Sequence, residues 1–251
     1  MPLRPTLMDL WGKRQGFASI IIDTMCGRFT LTERDGKLVE ARLGVPPGAL
    51  RDYSPRYNIA PTQPWFVVVM AYENRAIVPA KWGLVPRGSK DAGRAAQCIN
   101  ARCETVESRP AFRDAFKRRR CVVPADGFYE WTGPRSARQP HWIHRRDGQL
   151  LLFAGLYEEW QPAGGDAETT FTILTCAANS TIARVHDRMP VILSDRDADD
   201  WMNPREADPH SLKRMLIPTA EDVLEIRLAS PLVNHVRNEG PQLLANSDLL
   251  L

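Results

Sequence analysis

Two runs rich in strand-forming residues, Trp65 to Met70 and Ala76 to Leu84, stand on either side of Glu73-Asn74, a spacing that specifies a β-hairpin. Further strand-like runs follow at Cys121 to Val123, Gly127 to Trp131, Leu150 to Tyr157 and Thr170 to Thr175. Helical signals fall between these groups. Thr32 to Asp35 reads as a capping segment, followed by Leu38, Val39 and Leu43 and stopped at Gly44. Pro110 to Arg120 begins with proline, places Phe112 and Phe116 one turn apart and ends in cations. Asn179 to Val185 and Ser194 to Met202 read as short helices, Ser194 being the N-cap. Strands that come as hairpins with helices between groups of them predict an α+β fold, not a parallel α/β sheet.

With 251 residues, 43% of them hydrophobic and 25% charged, the chain is expected to bury one core and form one compact domain. A net charge of +3 is too small to mark a nucleic-acid binder by itself, so any such role rests on local clusters. The five cysteines are odd in number and include no CxxC pair. That pattern favours reduced thiols in a cytoplasmic protein over a disulfide framework or a zinc site. No apolar run reaches bilayer-spanning length, and Phe17 to Ile22, interrupted at Asp23, is too brief for a signal-peptide core. Patterned sequence begins only at Met25-Cys26, so residues 1–25 are expected to be an extension without a folding role.

Three clusters could carry chemistry. If translation started at Met25 and that methionine were removed, Cys26 would present an α-amine and a thiol on adjacent carbons. An α-amine of pKa roughly 7.7–8.0 is partly neutral, hence nucleophilic, near pH 7. The plainer alternative is a buried internal cysteine. In Gly127-Phe128-Tyr129-Glu130-Trp131, strand periodicity puts Phe128 and Glu130 on one face and Tyr129 and Trp131 on the other. A carboxylate there needs either an ion partner or a catalytic task. In His186-Asp187-Arg188-Met189-Pro190, His186 could move protons and Arg188 could grip a phosphate, or the histidine could simply end a helix. His141 and His144 fall on opposite faces of a strand, which argues against shared metal ligation. Lys117 to Arg120 reads as a solvated helix end that could also touch backbone phosphates.

Taken in order, Met25-Cys26-Gly27-Arg28-Phe29, Tyr57-Asn58-Ile59-Ala60-Pro61-Thr62, Trp82-Gly83-Leu84-Val85-Pro86, Asn100-Ala101-Arg102 with Glu104-Thr105, Cys121 through Trp131, and His186 through Pro190 resemble the SRAP family. These are the SOS response-associated peptidase domain proteins, with bacterial members and a eukaryotic abasic-site sensor. The likeness runs from Cys26 to about Ile226. It implies an extension over residues 1–25, a catalytic and DNA-binding domain over 26–226 and a tail over 227–251. The implied fold is a single compact α+β domain with a curved, barrel-like antiparallel sheet flanked by helices.

The resemblance further implies a sensor of abasic sites in single-stranded DNA, acting in the DNA damage (SOS) response and associated with the nucleoid when on DNA. Such proteins form a stable thiazolidine with the sugar aldehyde through an N-terminal cysteine. Carried over by position, Cys26 is the nucleophile, supported by Asn100, Glu130 and His186. Arg28, Asn58, Pro61, Trp82, Arg102 and Arg188 line the DNA path, with Trp82 and Pro61 packing on unstacked bases. No metal or cofactor is expected. The amine attacks the open aldehyde to give an imine, and the thiolate closes a five-membered ring on the same carbon. Because one residue supplies both nucleophiles, the second step has a high effective concentration. Glu130 would deprotonate the ammonium, and His186 would protonate the sugar oxygen as the sugar opens. A free amine at Cys26 requires that residues 1–25 be absent. Two other readings stay open: a cysteine peptidase of N-terminal-nucleophile type acting on itself, and a non-covalent single-stranded nucleic-acid-binding module.

Overall fold

The computed structural model describes residues 26–245, apart from residues 94 and 207. In chain order its strands and helices are β1 (Phe29–Leu31), α1 (Gly36–Leu43), β2 (Arg56–Ile59), β3 (Pro64–Ala71), β4 (Asn74–Trp82), β5 (Asn100–Arg102), α2 (Arg113–Arg118), β6 (Arg120–Ala125), β7 (Gly127–Thr132), β8 (Gln139–Arg145), β9 (Leu151–Trp160), β10 (Glu168–Ala177), β11 (Arg188–Pro190), β12 (Ile192–Leu193), α3 (Asp195–Met202), α4 (Pro209–Arg214) and β13 (Leu224–Leu228). The expected extension, residues 1–25, lies outside the described residues.

The expected hairpin is β3–β4, paired from Pro64↔Lys81 to Ala71↔Asn74. Tyr72 holds its turn at φ 59, in the left-handed region that a right-twisted two-residue loop demands. Successive pairings β10-β4-β3-β6-β9 return to β10, closing a five-stranded barrel. Closure leaves those strands few free edges. The expected curved, barrel-like antiparallel sheet is thus present, with β10 alone running parallel to two of its partners, β4 and β5. A second, five-stranded sheet has the order β13-β8-β7-β1-β2. The fold is therefore α+β, as the hairpin pattern indicates.

Asp126 stands where β6 of the barrel gives way to β7 of the second sheet. Its carboxylate accepts from Thr30 Oγ1 at 2.5 Å and from Thr32 N and Oγ1 at 2.5 and 2.6 Å, which ties β1 to that corner. At Gly127 a Cβ would lie 2.1 Å from the Trp142 indole nitrogen, so only glycine lets β8 pack this closely. Phe29 and Phe128, both fully buried, face the barrel and meet Phe153 edge-on at 6.3 and 6.0 Å.

The opposite face of the second sheet is not bare. Tyr57 and Tyr129 form a smaller core there with Ala229, Val233 and Leu243. Residues 227–245 are thus packed: β13 continues to Leu228, and the segment after it seals the sheet. Glu239 fastens that segment, accepting from Arg56 Nε at 2.7 Å and Tyr57 N at 2.8 Å.

Helices are shorter than their sequence signals. Pro110 to Arg120 yields only α2, because Arg120 leaves the helix to start β6. Arg120 is also 2% exposed, not a solvated helix end. Its guanidinium is taken up by the carbonyls of Phe116, Lys117, Trp201, Asn203 and Glu206, which ends two helices at one buried cation. Asn179 to Val185 contains a 3₁₀ turn, Ile182–Arg184, in place of an α-helix. Ser194 does cap α3, accepting from Asp197 N at 3.1 Å. No described helix is long and apolar enough to cross a membrane.

Candidate active site

Cys26 lies just before β1, and β1 pairs antiparallel with β7 through Phe29↔Phe128 and Thr30↔Gly127. Antiparallel geometry then carries residues preceding Phe29 toward residues following Phe128. Tyr129 N donates to Arg28 O at 3.0 Å, and Cys26 N donates to Glu130 Oε1 at 2.6 Å. Both residues are buried, Cys26 at 0% and Glu130 at 3% exposure. The register of two neighbouring strands thus places a thiol, a main-chain nitrogen and a carboxylate together.

Burial pushes the Glu130 carboxyl up to about 8; the Cys26 N–H and Arg138 pull it down, while Asp187 pushes it further up. Burial also drives the Cys26 thiol well above its usual range, with Glu130 adding to the rise. While a peptide bond precedes Cys26, its φ of 42° is left-handed, a conformation costing a side-chain-bearing residue on the order of 1 kcal/mol or more.

His186 follows the 3₁₀ turn, its own N–H donating to Ile182 O at 2.9 Å. Its Nδ1 accepts from Arg188 N at 3.1 Å and lies 2.9 Å from Asp187 Oδ1. The effect of Asp187 on Glu130 sets the His186–Asp187 turn within electrostatic reach of the buried carboxylate. Asn100 and Arg188 are both anchored on β10, Asn100 opposite Ile173 on one side and Arg188 opposite Ala177 on the other. Arg102 is exposed, opposite Thr175.

Expected DNA-facing residues divide into two groups. Arg28 is partly buried; it donates to Asn58 Oδ1 at 2.8 Å and Val233 O at 3.0 Å, and lies 5.9 Å from the Trp131 ring centre. Pro61 is half-buried in the turn before Thr62. Trp82 and Asn58 do not fit the expectation. Trp82 is 0% exposed, sits 5.0 Å from Phe29 and donates its indole N–H to Ile99 O, so it has no face for a base. Asn58 is fully buried and donates to the carbonyls of Val233, His235 and Asn238, which secures the C-terminal segment.

Sequence reasoning gave no role to Arg138 or Asp187, the two charges that tune Glu130. Asp187 stood beside His186 in the quoted motif, but only the fold brings it toward β7. No group of three potential metal ligands occurs among the described residues. A cleft of about 430 Å³ lined by Thr32, Asp126, Trp142 and His144 opens at the other end of β1, away from Cys26.

Sequence and structure comparisons place the chain among known proteins. The family described as SOS response associated peptidase (SRAP) matches residues 25–236. The chain is 38% identical over 225 residues to "Abasic site processing protein YoqW" of Bacillus subtilis (strain 168), covering 88% of this chain and 99% of that one. It is 29% identical over 238 residues to "Abasic site processing protein HMCES" of Mus musculus, covering 79% of this chain and 67% of that one. A solved structure from Bacteroides thetaiotaomicron superposes with a TM-score of 0.79 at 21% identity, over 88% of this chain and all of the other. A phage-related protein from Bordetella bronchiseptica gives a TM-score of 0.61 at 30% identity, over 81% and 93%. With the family matched across most of its length, the chain belongs to the SOS response associated peptidase (SRAP) family.

Proposed function

We propose that this protein processes abasic sites in single-stranded DNA, and that its working form begins at Cys26 and bonds covalently to the open sugar. The observation that carries the reading is the 2.6 Å contact from Cys26 N to Glu130 Oε1. A structural amide has many acceptors to choose from; a buried carboxylate held near pKa 8 is a costly one unless it has work to do. Release of residues 1–25 removes the left-handed φ at Cys26 and turns the amide into an ammonium facing Glu130. The Glu130 carboxylate, 2.6 Å from that nitrogen, is placed to accept its proton. The relatives' names supply the substrate class.

The neutral amine adds to the aldehyde carbon, and loss of water gives an imine. The Cys26 sulfur then adds to that carbon and its proton passes to the nitrogen, closing the thiazolidine. Burial that disfavours a free thiolate also disfavours unproductive thiol chemistry before the imine forms. His186 is assigned to protonating the sugar ring oxygen as the sugar opens. Asn100 is assigned to holding the intermediate, and Arg28, Arg102, Arg188 and Pro61 to the strand's path. The buried positions of Trp82 and Asn58 assign them to the scaffold. The activity is lyase-like in kind, and placement in the DNA damage response and at the nucleoid follows from the substrate.

The test incubates protein beginning at Cys26 with a single-stranded abasic oligonucleotide and separates products under hot denaturing conditions. An adduct with wild type and none with Cys26→Ala supports the proposal. Binding that vanishes with salt and leaves no denaturation-resistant product refutes it in favour of non-covalent binding. Self-cleavage before Cys26 is a compatible second activity; full-length chain that is processed equally well as Glu130→Gln would remove Glu130 from it.

A further inference from the structure

Four side chains outside the Cys26 site form a cluster that the proposed reaction does not use in full: Cys103, Cys176, Glu104 and Arg188. The parallel β5–β10 ladder pairs Ile173↔Asn100, Leu174↔Ala101 and Thr175↔Arg102. Cys103 N completes the last of these pairs by donating to Thr175 O at 2.9 Å. Carried one residue on, into the turn after β5, that register sets Cys103 opposite Cys176, and the two thiols lie within electrostatic reach of each other. Paired residues of a parallel ladder point to the same face, on strands about 4.8 Å apart, inside the roughly 4.4–6.8 Å Cα separation of disulfides. Cys176 Sγ makes only a long 3.9 Å contact to Met189 O, so turning it toward Cys103 gives up little. Cys103 is half-buried, whereas Cys176 is 2% exposed.

From this geometry we infer that Cys103 and Cys176 are a modification site: a thiol pair that a peroxide converts to a cross-strand disulfide beneath Arg188. The Cys103 thiolate attacks one peroxide oxygen, breaking the O–O bond, and becomes a sulfenic acid; the leaving hydroxide takes up a proton as water. The Cys176 sulfur then attacks the Cys103 sulfur and expels a second water. Two thiols lose two electrons and two protons, and one hydrogen peroxide is reduced to two waters.

Arg188 links this site to DNA capture. Its guanidinium bonds both Glu104 oxygens, at 2.8 and 2.9 Å, and Thr175 O at 2.6 Å, and it also bonds the Cys103 thiol. Burial raises both thiols, Cys176 to about 12, and Glu104 adds to the rise, while Arg188 pulls them part of the way back toward thiolate. Oxidation therefore runs faster as pH rises. The disulfide withdraws the Cys103 sulfur from Arg188 and fixes the turn bearing Glu104. Glu104 then yields less readily when a phosphate competes for the guanidinium. The link to DNA rests on the function proposed above; the disulfide itself does not.

The experiment treats full-length protein with hydrogen peroxide at pH 7 and pH 9, blocks remaining thiols under denaturing conditions and maps the peptides. Binding of an undamaged single-stranded oligonucleotide is measured on the same samples. The expected result is a Cys103–Cys176 linked peptide that forms faster at pH 9, is absent in Cys103→Ser and in Cys176→Ala, and reverts with a dithiol. Affinity for the oligonucleotide should fall several-fold on oxidation of wild type but not of Cys103→Ser. Oxidation that stops at separate sulfenic or sulfinic acids, with no linked peptide, overturns the site. A linked peptide with unchanged affinity overturns its connection to Arg188. Reduced wild type that binds no single strand at all counts against the proposed function, and the peptide map still decides the disulfide.

Discussion

Arg188 and Glu104 form a two-pronged ion pair, with N–O distances of 2.8 and 2.9 Å, between β11 and the turn after β5. The Glu104 side chain is 48% exposed and that of Arg188 only 14%, so the carboxylate is the partner able to leave. A DNA phosphate that takes its place finds a guanidinium already oriented by Thr175 O. Glu104→Gln is expected to strengthen single-strand binding, and Arg188→Ala to weaken it, reducing the log–log salt slope by about 0.7. Titrations at several salt concentrations check both. Weaker binding by Glu104→Gln would mean that the pair holds the site together instead of guarding it.

Glu130 links protonation to stability. Its folded value of about 8 lies above the ordinary 4.5, so between those limits the folded chain holds more protons than the unfolded one. Its contribution is present below about pH 4.5 and is lost as pH rises through 8. In full-length chain, Glu130→Gln should flatten the fall in stability from pH 5 to pH 9 by about 1–4 kcal/mol. A chain beginning at Cys26 should show less of this fall, because the ammonium stabilises the carboxylate. Urea unfolding of the three proteins at both pH values tests the point. Parallel slopes for wild type and Glu130→Gln would show that burial does not raise this group.

Trp82 separates scaffold from surface. Trp82→Phe removes the indole donor to Ile99 O and is expected to cost about 1–3 kcal/mol of stability. It should leave single-strand affinity within about twofold, a difference of roughly 0.4 kcal/mol. A large loss of affinity in a variant of normal stability would restore the ring to the DNA path.

The contrast shows what the sequence could convey. The β3–β4 hairpin and the Ser194 cap depend on local chemistry and were legible. So was the expectation that Glu130 sits where a carboxylate is costly, because a two-residue period sets its face. The barrel was expected only through the family resemblance, since its closure depends on parallel pairing between β4 and β10, which are distant in sequence. The buried positions of Trp82 and Asn58 were not legible, because a motif names residues without saying which way they point. Arg138 and Asp187 act on Glu130 through space, and spacing along the chain carries no trace of that. The packing of residues 229–244 was hidden for the same reason, since its partners Tyr57 and Tyr129 lie on β2 and β7.

The role proposed for His186 can be isolated by substrate choice. The His186 Nδ1 is engaged by Arg188 N at 3.1 Å and by Asp187 Oδ1 at 2.9 Å, so Nε2 is the nitrogen assigned to the sugar oxygen. His186→Ala should slow crosslinking to a closed abasic sugar by about 100-fold or more. An oligonucleotide carrying an open-chain aldehyde needs no ring opening and should be affected far less. Rates against pH for both substrates make the comparison, and equal defects would withdraw the assignment.

The central claim is that the Cys26 nitrogen, held against Glu130, becomes a free amine that bonds to the abasic sugar. The most direct measurement is intact and peptide mass spectrometry of the adduct, formed in parallel by protein beginning at Cys26 and by full-length protein in which residues 1–25 remain. The expected result is an adduct only with the Cys26-initiated chain, lighter by one water than protein plus oligonucleotide, mapped to the N-terminal peptide and unaffected by replacing Cys98, Cys103, Cys121 or Cys176. An adduct on protein that retains residues 1–25, or one mapped to another cysteine, would contradict it.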